Sequence, residues 1–207
     1  MKIRVGQQPL QKTFVVHEDI ISRSEYFRRA MNGNWAESDN RIVSLLEDDP
    51  HTFSIYLHMV HTNRFPEPTT FRDISTKGLF ARFIKSDLVQ LAKVYVLAEK
   101  LQDTATKNAI VREIMAKSAV QGPDGSKYCP DPIAINIIYN GTPKGNPCRR
   151  LVVHMWTDEL PKTFTRDVES LPREFLGELA LTFRDHYDRS IDGLDLISPT
   201  HNENYFE

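Results

Sequence analysis

Apolar and polar residues alternate in two short runs at the start of the chain. Lys2 to Gly6 and Thr13 to His17 are both rich in β-branched and apolar residues, and Gln7 to Gln11 separates them. A period of two is typical of strands that bury one face. The pattern therefore predicts an antiparallel hairpin with a wide loop, and Ile42 to Leu46 predicts a further strand.

Helical spacing replaces this alternation on either side of the further strand. Glu18 to Ser22 and Ser24 to Met31 are predicted to form two short helices before it. Asp49 and Pro50 predict the start of a longer helix after it, because the carboxylate can accept from an unpaired backbone amide and proline gives up no useful donor there. The apolar residues of that helix form one predicted buried stripe, which consists of Phe53, Tyr56, Leu57 and Val60.

A long loop and two more helices are predicted next. Prolines, threonines and mixed charges fill the region of residues 63–85, which indicates an inserted loop with its own partner or a mobile surface segment. Leu88 to Leu101 has a broad apolar helical face, and Asp103 can cap the helix that follows. The segment Gln121 to Ser126 interrupts the pattern, so the first domain is predicted to span residues 1–119.

Three amphipathic helices are predicted beyond this interruption. Their starts are marked by Asp131-Pro132, Asn146-Pro147 and Leu171-Pro172. Because a lone helix cannot bury its apolar stripe, we expect these helices to pack on one another or on the first domain. They form a predicted C-terminal helical extension over residues 120–188, followed by a disordered tail over residues 189–207.

Composition narrows the class of protein only a little. The chain has 207 residues and a formal charge of -2, with a pI near 6.4, so we expect no general attraction to nucleic acid or to an anionic membrane. It has no apolar run long enough to span a bilayer and no apolar signal region after Met1, which predicts the cytoplasm or the nucleus. Cys129 and Cys148 are its only cysteines, so a disulfide framework is not expected.

Several stretches of the first half together resemble the BTB/POZ family of fungal type. They are Phe14 to Asp19, Ser24 to Ala30, Asn34 to Ser38, Ile42 to Pro50, Phe53 to Leu57 and the helix Val94 to Gln102. The resemblance extends from Ile3 to Ala119. It implies an α+β fold in which a small three-stranded sheet with packed helices precedes the helical extension. It also implies a non-enzymatic protein-binding module.

The resemblance places partner binding on one surface. Many BTB/POZ domains tether substrates to a cullin-type ubiquitin ligase, and others scaffold transcriptional regulators. By this similarity a cullin is expected to contact Glu47 to Asp49, the outward side of the helix from Pro50 to His61, and the start of a helix near Leu88. The candidate partner-binding residues are Asp48, Asp49, His51 and Tyr56.

The start of the chain departs from one branch of the family. Family members that form a domain-swapped dimer carry a helix before the first strand, whereas this chain opens almost directly on Lys2 to Val5. Glu18 to Arg23 is also one residue shorter than the family pattern, which rotates a helix by about 100°. A monomer, or a dimer through another face, is therefore expected. Two functions stay open, namely a substrate adapter for a cullin-type ligase and an oligomerising scaffold in transcriptional regulation without a ligase.

Histidines and cysteines suggest metal chemistry only weakly. His51, His58 and His61 share one predicted helix, where neutral imidazoles can share a metal, but no close Cys, Asp or Glu completes a tetrahedral set. Cys148 and His154 do not share a helical face. No metal or cofactor site is therefore predicted, and half-exposed surface positions are favoured for these histidines.

Three other motifs are weighed against catalysis or phosphate binding. His17, Asp19 and Ser22 combine a base, an orienting group and a nucleophile, but in a BTB-like chain the position of His17 starts a helix, where its side chain would satisfy backbone donors. Gly141 to Gly145 lacks the Gly-Lys-Ser/Thr helix start of a phosphate loop. Arg149-Arg150 is interpreted as part of a solvated helix face. No catalytic site is predicted.

Overall fold

The computed structural model describes residues 1–32, 41–66, 77–123, 125–158, 168–191 and 205–207. The chain divides into two units. Unit 1 consists of Met1–Thr69 and Lys93–Ile110, and unit 2 consists of Thr70–Ala92 and Val111–Glu207. These units differ from the predicted domains 1–119 and 120–188, because two long helices each contribute residues to both units.

Unit 1 begins with a mixed three-stranded sheet. Its strands are β1 (Lys2–Val5), β2 (Lys12–Val15) and β3 (Ile42–Leu45). The central strand β1 is antiparallel to β2 and parallel to β3, so the predicted hairpin and further strand are confirmed. One face of β1 and β3 is buried, as the two-residue period predicts, and it consists of Ile3, Val5, Val43 and Leu45.

Helices make up the other elements of unit 1. They are α1 (Glu18–Ile21), α2 (Glu25–Asn32) and α3 (Pro50–Thr62), with the last turns of α4 (Lys77–Lys100) and the first turns of α5 (Thr104–Ala119). Phe53 on α3 meets the rings of Phe14, Phe27 and Tyr56 at centroid distances of 5.0, 6.5 and 5.7 Å. These aromatic contacts join β2, α2 and α3 in one core. The stretch Asn34 to Ser38 lies outside the described residues.

Unit 2 is helical in its described residues. Beside its parts of α4 and α5 it contains α6 (Pro132–Gly141), α7 (Pro147–Asp158), a 3-10 turn (Val168–Ser170) and α8 (Arg173–Ile191). Trp156 packs edge-on against Phe175 with ring centroids 5.2 Å apart, and its Nε1 donates to the Pro130 carbonyl at 2.8 Å. The predicted cap Asp131 is confirmed, because its carboxylate accepts from the Ala134 amide at 3.0 Å.

Arg149 corrects one prediction in unit 2. Its side chain is only 5% exposed, whereas Arg150 is exposed. The Arg149 guanidinium donates to Thr142 Oγ1 at 3.0 Å, to the Tyr139 carbonyl at 2.6 Å, to Glu174 Oε2 at 2.7 Å and to the Thr142 carbonyl. It also lies 4.5 Å from the centre of the Tyr139 ring. Arg149, Tyr139, Thr142 and Glu174 are called the Arg149 hub below.

The predicted loop over residues 63–85 is partly wrong. Helix α4 begins at Lys77, because Phe80, Ile84 and Leu88 recur at four-residue spacing and are all buried. Residues 67–76 lie outside the described residues. The fold class is α+β, as predicted, with a small mixed sheet and helices.

The predicted disordered tail over residues 189–207 is also partly wrong. Helix α8 continues to Ile191, and Tyr205 is only 1% exposed. Residues 192–204 lie outside the described residues. The tail prediction failed at Tyr205 because one aromatic residue without a periodic pattern gives no sequence signal for burial.

Candidate interaction surface

The connection from β3 to α3 places acidic and apolar side chains on the surface of unit 1. Leu46 is 46% exposed, Glu47, Asp49 and His51 are exposed, and Asp48 is half-buried. We call these five residues the β3–α3 surface. It contains three of the four predicted partner-binding residues.

Asp49 holds the first turn of α3. Its Oδ2 accepts from the Thr52 amide at 2.8 Å and from the Thr52 hydroxyl at 2.8 Å, which confirms the predicted cap, and Pro50 takes the first helical position. Partial burial raises the pKa of Asp49, but the hydrogen bonds from Thr52 and His51 outweigh burial, so the pKa lies below its usual value. Asp49 is thus ionised at neutral pH and committed to the helix end.

Asp48 is tied to the end of α4. Its Oδ2 accepts from Lys100 Nζ at 2.8 Å, and the side chains of Asp48 and Lys100 are 13% and 45% exposed. A pair this open to water stabilises the fold by no more than about 1 kcal/mol. The ion pair therefore serves mainly to orient Asp48 within the surface. Lys100 remains accessible to water and to a partner.

A close backbone approach fixes the start of α3 against the sheet. Gly6, which follows β1, has a φ of +81°, and a Cβ placed there would lie 2.9 Å from Pro50 Cγ. Its amide donates to the Leu45 carbonyl at 3.0 Å. Only glycine adopts this φ without strain and leaves room for the proline ring. The ends of β1 and β3 and the first turn of α3 are thereby held together.

Tyr56 is not part of the β3–α3 surface, so its predicted contact with a partner is wrong. It is fully buried, because it belongs to the apolar stripe of α3, and its hydroxyl donates to Asp103 Oδ2 at 2.9 Å. Burial and the neighbouring Asp103 carboxylate raise the pKa of Tyr56 far above its usual value. The phenol therefore remains a hydrogen-bond donor inside unit 1.

Asp103 is the centre of a buried polar network in unit 1. Its carboxylate accepts from Arg23 Nε at 3.0 Å, from the Thr106 amide at 2.9 Å and from the Thr106 hydroxyl at 2.7 Å, in addition to Tyr56. Arg23 also donates to the Val60 carbonyl at 3.0 Å. We call Arg23, Tyr56, Asp103 and Thr106 the Asp103 hub. The cap predicted for Asp103 is confirmed, but the network around it was not predicted.

The Asp103 hub links three parts of unit 1 beneath the surface. Arg23 lies between α1 and α2, Tyr56 lies on α3, and Asp103 lies between α4 and α5. Charge-assisted hydrogen bonds of this kind are directional, so they fix the rotation of α3 about its axis. A polar residue in a short connection between two helices was the signal available for Arg23, but its partner is 80 residues away in sequence.

The histidines of α3 lie on its outer side. His51, His58 and His61 are exposed, which agrees with the surface positions favoured for them. In the described ranges no three His, Cys, Asp or Glu side chains are close enough to hold a metal ion. The third predicted part of the cullin surface is wrong, because Leu88 lies inside α4 and is 1% exposed.

His17, Asp19 and Ser22 lie at the start, inside and at the end of α1 in unit 1. Ser22 Oγ donates to the Asp19 backbone carbonyl at 2.9 Å, so its hydroxyl is directed to the main chain. His17 precedes α1 without a side-chain capping bond, so the backbone-capping role expected for it is wrong as well.

A cleft of about 410 Å³ adjoins α1 in unit 1. Its lining includes Glu18, Asp19, Arg28 and Arg41. Glu18 pairs with Arg41 Nη1 at 2.6 Å and with the Met1 amino group at 3.5 Å. With the pair between Arg28 and Glu25, these contacts neutralise most of the charges that line the cleft, so it is a weaker candidate than the β3–α3 surface.

Cys148 and His154 have separate surroundings in unit 2. The Cys148 amide donates to Asn146 Oδ1 at 2.9 Å and its side chain is buried, so the predicted start of α7 is confirmed. His154 Nδ1 hydrogen-bonds the Tyr205 hydroxyl instead.

Comparison with known proteins adds no relative to these observations. A scan against protein-family models gives no match, and a search of curated proteins gives no match either. No helix in the described part of the chain is long and apolar enough to cross a membrane.

Proposed function

We propose that unit 1 is a protein-binding module of BTB/POZ type and that the β3–α3 surface is where it binds a partner. The observation that supports this most is a group of exposed carboxylates beside the exposed Leu46, on a connection whose ends are fixed by Gly6 and Asp49. The order of strands and helices through α3 is also the order that the BTB/POZ resemblance implies.

Rigidity favours binding at this surface. A connection that is already ordered loses less conformational entropy when a partner binds, so more of the interaction free energy appears as affinity. Leu46 supplies an apolar contact, the exposed Glu47 beside it carries a negative charge, and the Asp48 carboxylate is paired with Lys100. The surface thus suits a partner with an apolar pocket and basic side chains around it.

The partner we propose is the N-terminal region of a cullin, which would make the protein a substrate adapter of a ubiquitin ligase. Glu47 to Asp49 and the exposed side of α3 are the positions that the resemblance assigns to this contact. The choice of cullin rests on that resemblance alone, which is an analogy of fold.

Light scattering of the full chain with a cullin N-terminal region tests this function. A heterocomplex of defined mass is expected, and Glu47→Lys should weaken it at least ten-fold because it reverses a charge inside the surface. Asp19→Lys is the matched control, since Asp19 is an exposed carboxylate on α1. Absence of a complex, or equal weakening by both variants, would contradict the proposal.

Asp48 needs a paired variant, because its change also breaks the bond to Lys100. In the double variant Asp48→Lys with Lys100→Asp, the two residues can still form an ion pair with each other. Only the positive and the negative charge have exchanged positions. Weak cullin binding by this double variant is expected if Asp48 faces the partner. If the double variant binds the cullin as tightly as the wild type does, Asp48 serves only to pair with residue 100 inside the protein.

The second candidate function is a self-associating scaffold, and the outer strand β2 favours it. Leu10 and Val15 are 76% and 79% exposed. The Val16 amide donates to the Met1 carbonyl, and the Met1 amino group donates to the Val16 carbonyl. Along an antiparallel strand the backbone groups of successive residues point alternately toward the partner strand and away from it. The amides and carbonyls of Thr13 and Val15 therefore point toward the outer edge of the sheet. An exposed edge with apolar side chains is suited to pairing with a second copy.

Mass measured over a range of concentrations separates the two candidates. A scaffold predicts self-association that Val15→Lys removes, because a charge on an edge strand opposes pairing. The adapter predicts a heterocomplex that Val15→Lys leaves unchanged. A concentration-independent monomer would exclude the scaffold.

A further inference from the structure

Two adjacent aromatic side chains after α8 have specific partners in unit 2. Tyr205 is 1% exposed, its hydroxyl bonds His154 Nδ1, and the two rings meet edge to face with centroids 5.6 Å apart. The Arg112 guanidinium carbon lies 5.6 Å from the centre of the Phe206 ring. A hydroxyl partner for a buried tyrosine and a cation over a second ring are both recognised stabilising contacts.

These contacts come from two different helices. His154 lies on α7, and Arg112 lies on the part of α5 that belongs to unit 2. The aromatic pair is joined to α8 through the thirteen residues 192–204. Tyr205 and Phe206 thus contact two helices of unit 2 that are distant from them in sequence, as a bound peptide would.

We propose that His154 and Arg112 form a peptide-binding site for a Tyr-Phe pair, and that Tyr205 and Phe206 occupy this site as an exchangeable ligand from the same chain. The site would recognise one ring by burial and a hydroxyl hydrogen bond, and the other by a cation. This proposal is independent of the function proposed for unit 1.

A ligand that belongs to the same chain as its site competes with a ligand added in solution, at an effective concentration set by the residues that link it to the site. A peptide of the same sequence added in solution must displace it. The site is therefore expected to bind added peptide well only when its own Tyr205 and Phe206 are removed.

The charge around Tyr205 indicates which form of tyrosine the site accepts. Burial and the nearby Asp158 carboxylate raise the pKa of Tyr205 to about 12, although Arg150 acts in the opposite direction. A phenol is neutral at neutral pH even at its ordinary pKa of about 10, and this one is only 1% exposed, so it is bound without a charge and away from water. A phosphotyrosine would bring a charge of about -1.5 to -2 into the same place, so the site should favour the unmodified pair.

Fluorescence polarisation with a labelled peptide of residues 198–207 tests the proposal. The full chain with Tyr205→Ala and Phe206→Ala should bind the peptide at least ten-fold more tightly than the wild type, because its site is vacant. Adding His154→Ala should weaken that binding at least ten-fold. Lys144→Ala, at an exposed position, is the matched control and should leave binding unchanged.

Two results would overturn the proposal. One is a double variant that does not bind the peptide, and the other is equal binding by the double variant and the wild type. The single variant Tyr205→Ala retains Phe206 and provides the same comparison if the double variant fails to fold. A peptide phosphorylated on tyrosine should bind at least ten-fold more weakly, and equal binding would overturn the inferred preference for a neutral phenol.

Discussion

Each unit contains a buried charged hub, and the two hubs have opposite polarity. In unit 1 the central group is the Asp103 carboxylate, which accepts from Arg23, Tyr56 and Thr106. In unit 2 the central group is the Arg149 guanidinium, which donates mainly to carbonyl and hydroxyl oxygens. Both hubs connect helices that are separated in sequence, one through an acceptor and the other through a donor.

The two central charges differ in how they are neutralised. The side chain of Arg23 is 23% exposed, so Asp103 pairs with a largely buried cation. The Glu174 side chain is 66% exposed, so water screens its attraction to Arg149. The Asp103 hub thus depends on a buried ion pair, whereas the Arg149 hub depends mainly on hydrogen bonds to neutral groups.

Asp103→Ala should have the largest effect, a loss of about 3–5 kcal/mol in the free energy of unfolding, because it leaves a buried cation unpaired. Urea denaturation of the full chain measures this. Asp131→Ala is the matched control, since Asp131 caps a helix without a buried arginine, and it should cost about 1 kcal/mol. If both variants lose the same free energy of unfolding, Asp103 stabilises the protein only as a helix cap.

Arg149→Met should cost about 2–3 kcal/mol, because the buried carbonyls of Tyr139 and Thr142 lose a donor while no buried charge remains. The same denaturation experiment applies. Arg150→Met is the control and should change stability by less than about 0.5 kcal/mol, since that side chain is exposed. A loss larger than that of Asp103→Ala would reverse the comparison of the hubs.

Tyr56→Phe should cost about 1 kcal/mol near pH 8, because Asp103 loses one neutral donor. Tyrosine in the unfolded chain ionises near pH 10, whereas Tyr56 in the folded chain has a pKa raised by burial and by Asp103. Wild-type stability should therefore fall as the pH rises above about 10, and the variant should lack this part of the fall.

The free energy of unfolding is measured for the wild type and for Tyr56→Phe from pH 8 to pH 11. The difference between the two values is expected to become smaller as the pH rises. A constant difference across that range would show that Tyr56 ionises alike in both states. Its hydroxyl would then be open to water in solution.

Glu174→Gln should have the smallest effect, no more than about 0.5 kcal/mol, because the carboxylate is exposed and the amide oxygen still accepts from Arg149. Urea denaturation at low and at high salt measures it, with little difference expected between the two. A loss of about 2 kcal/mol or more would make Glu174 the counter-ion of Arg149 and remove the distinction between the two hubs.

Local features of the fold were predictable from the sequence. Asp49, Asp103 and Asp131 were recognised as caps because their amide partners lie three residues along the chain. The strands were recognised by their period of two. Both the helix caps and the strand pattern depend on residues that are close together in the sequence.

Long-range contacts were not predictable in this way. Arg149 and Arg150 are identical neighbours in sequence, and only the packing of α6, α7 and α8 buries one and exposes the other. Tyr56 was assigned both to the buried stripe and to the surface, and the hydrogen bond to Asp103 decides between them. Of the five residues of the candidate surface, the sequence therefore predicted Glu47, Asp48, Asp49 and His51.

The Asp103 hub also has a consequence for the order of events during synthesis. The chain leaves the ribosome from its N-terminus at about 5–20 residues per second, and Arg23 precedes Asp103 by 80 residues. For several seconds Arg23 and Tyr56 are thus present in a nascent chain whose acceptor has not yet been made. Unit 1 can complete its polar interior only after translation has passed the connection between α4 and α5.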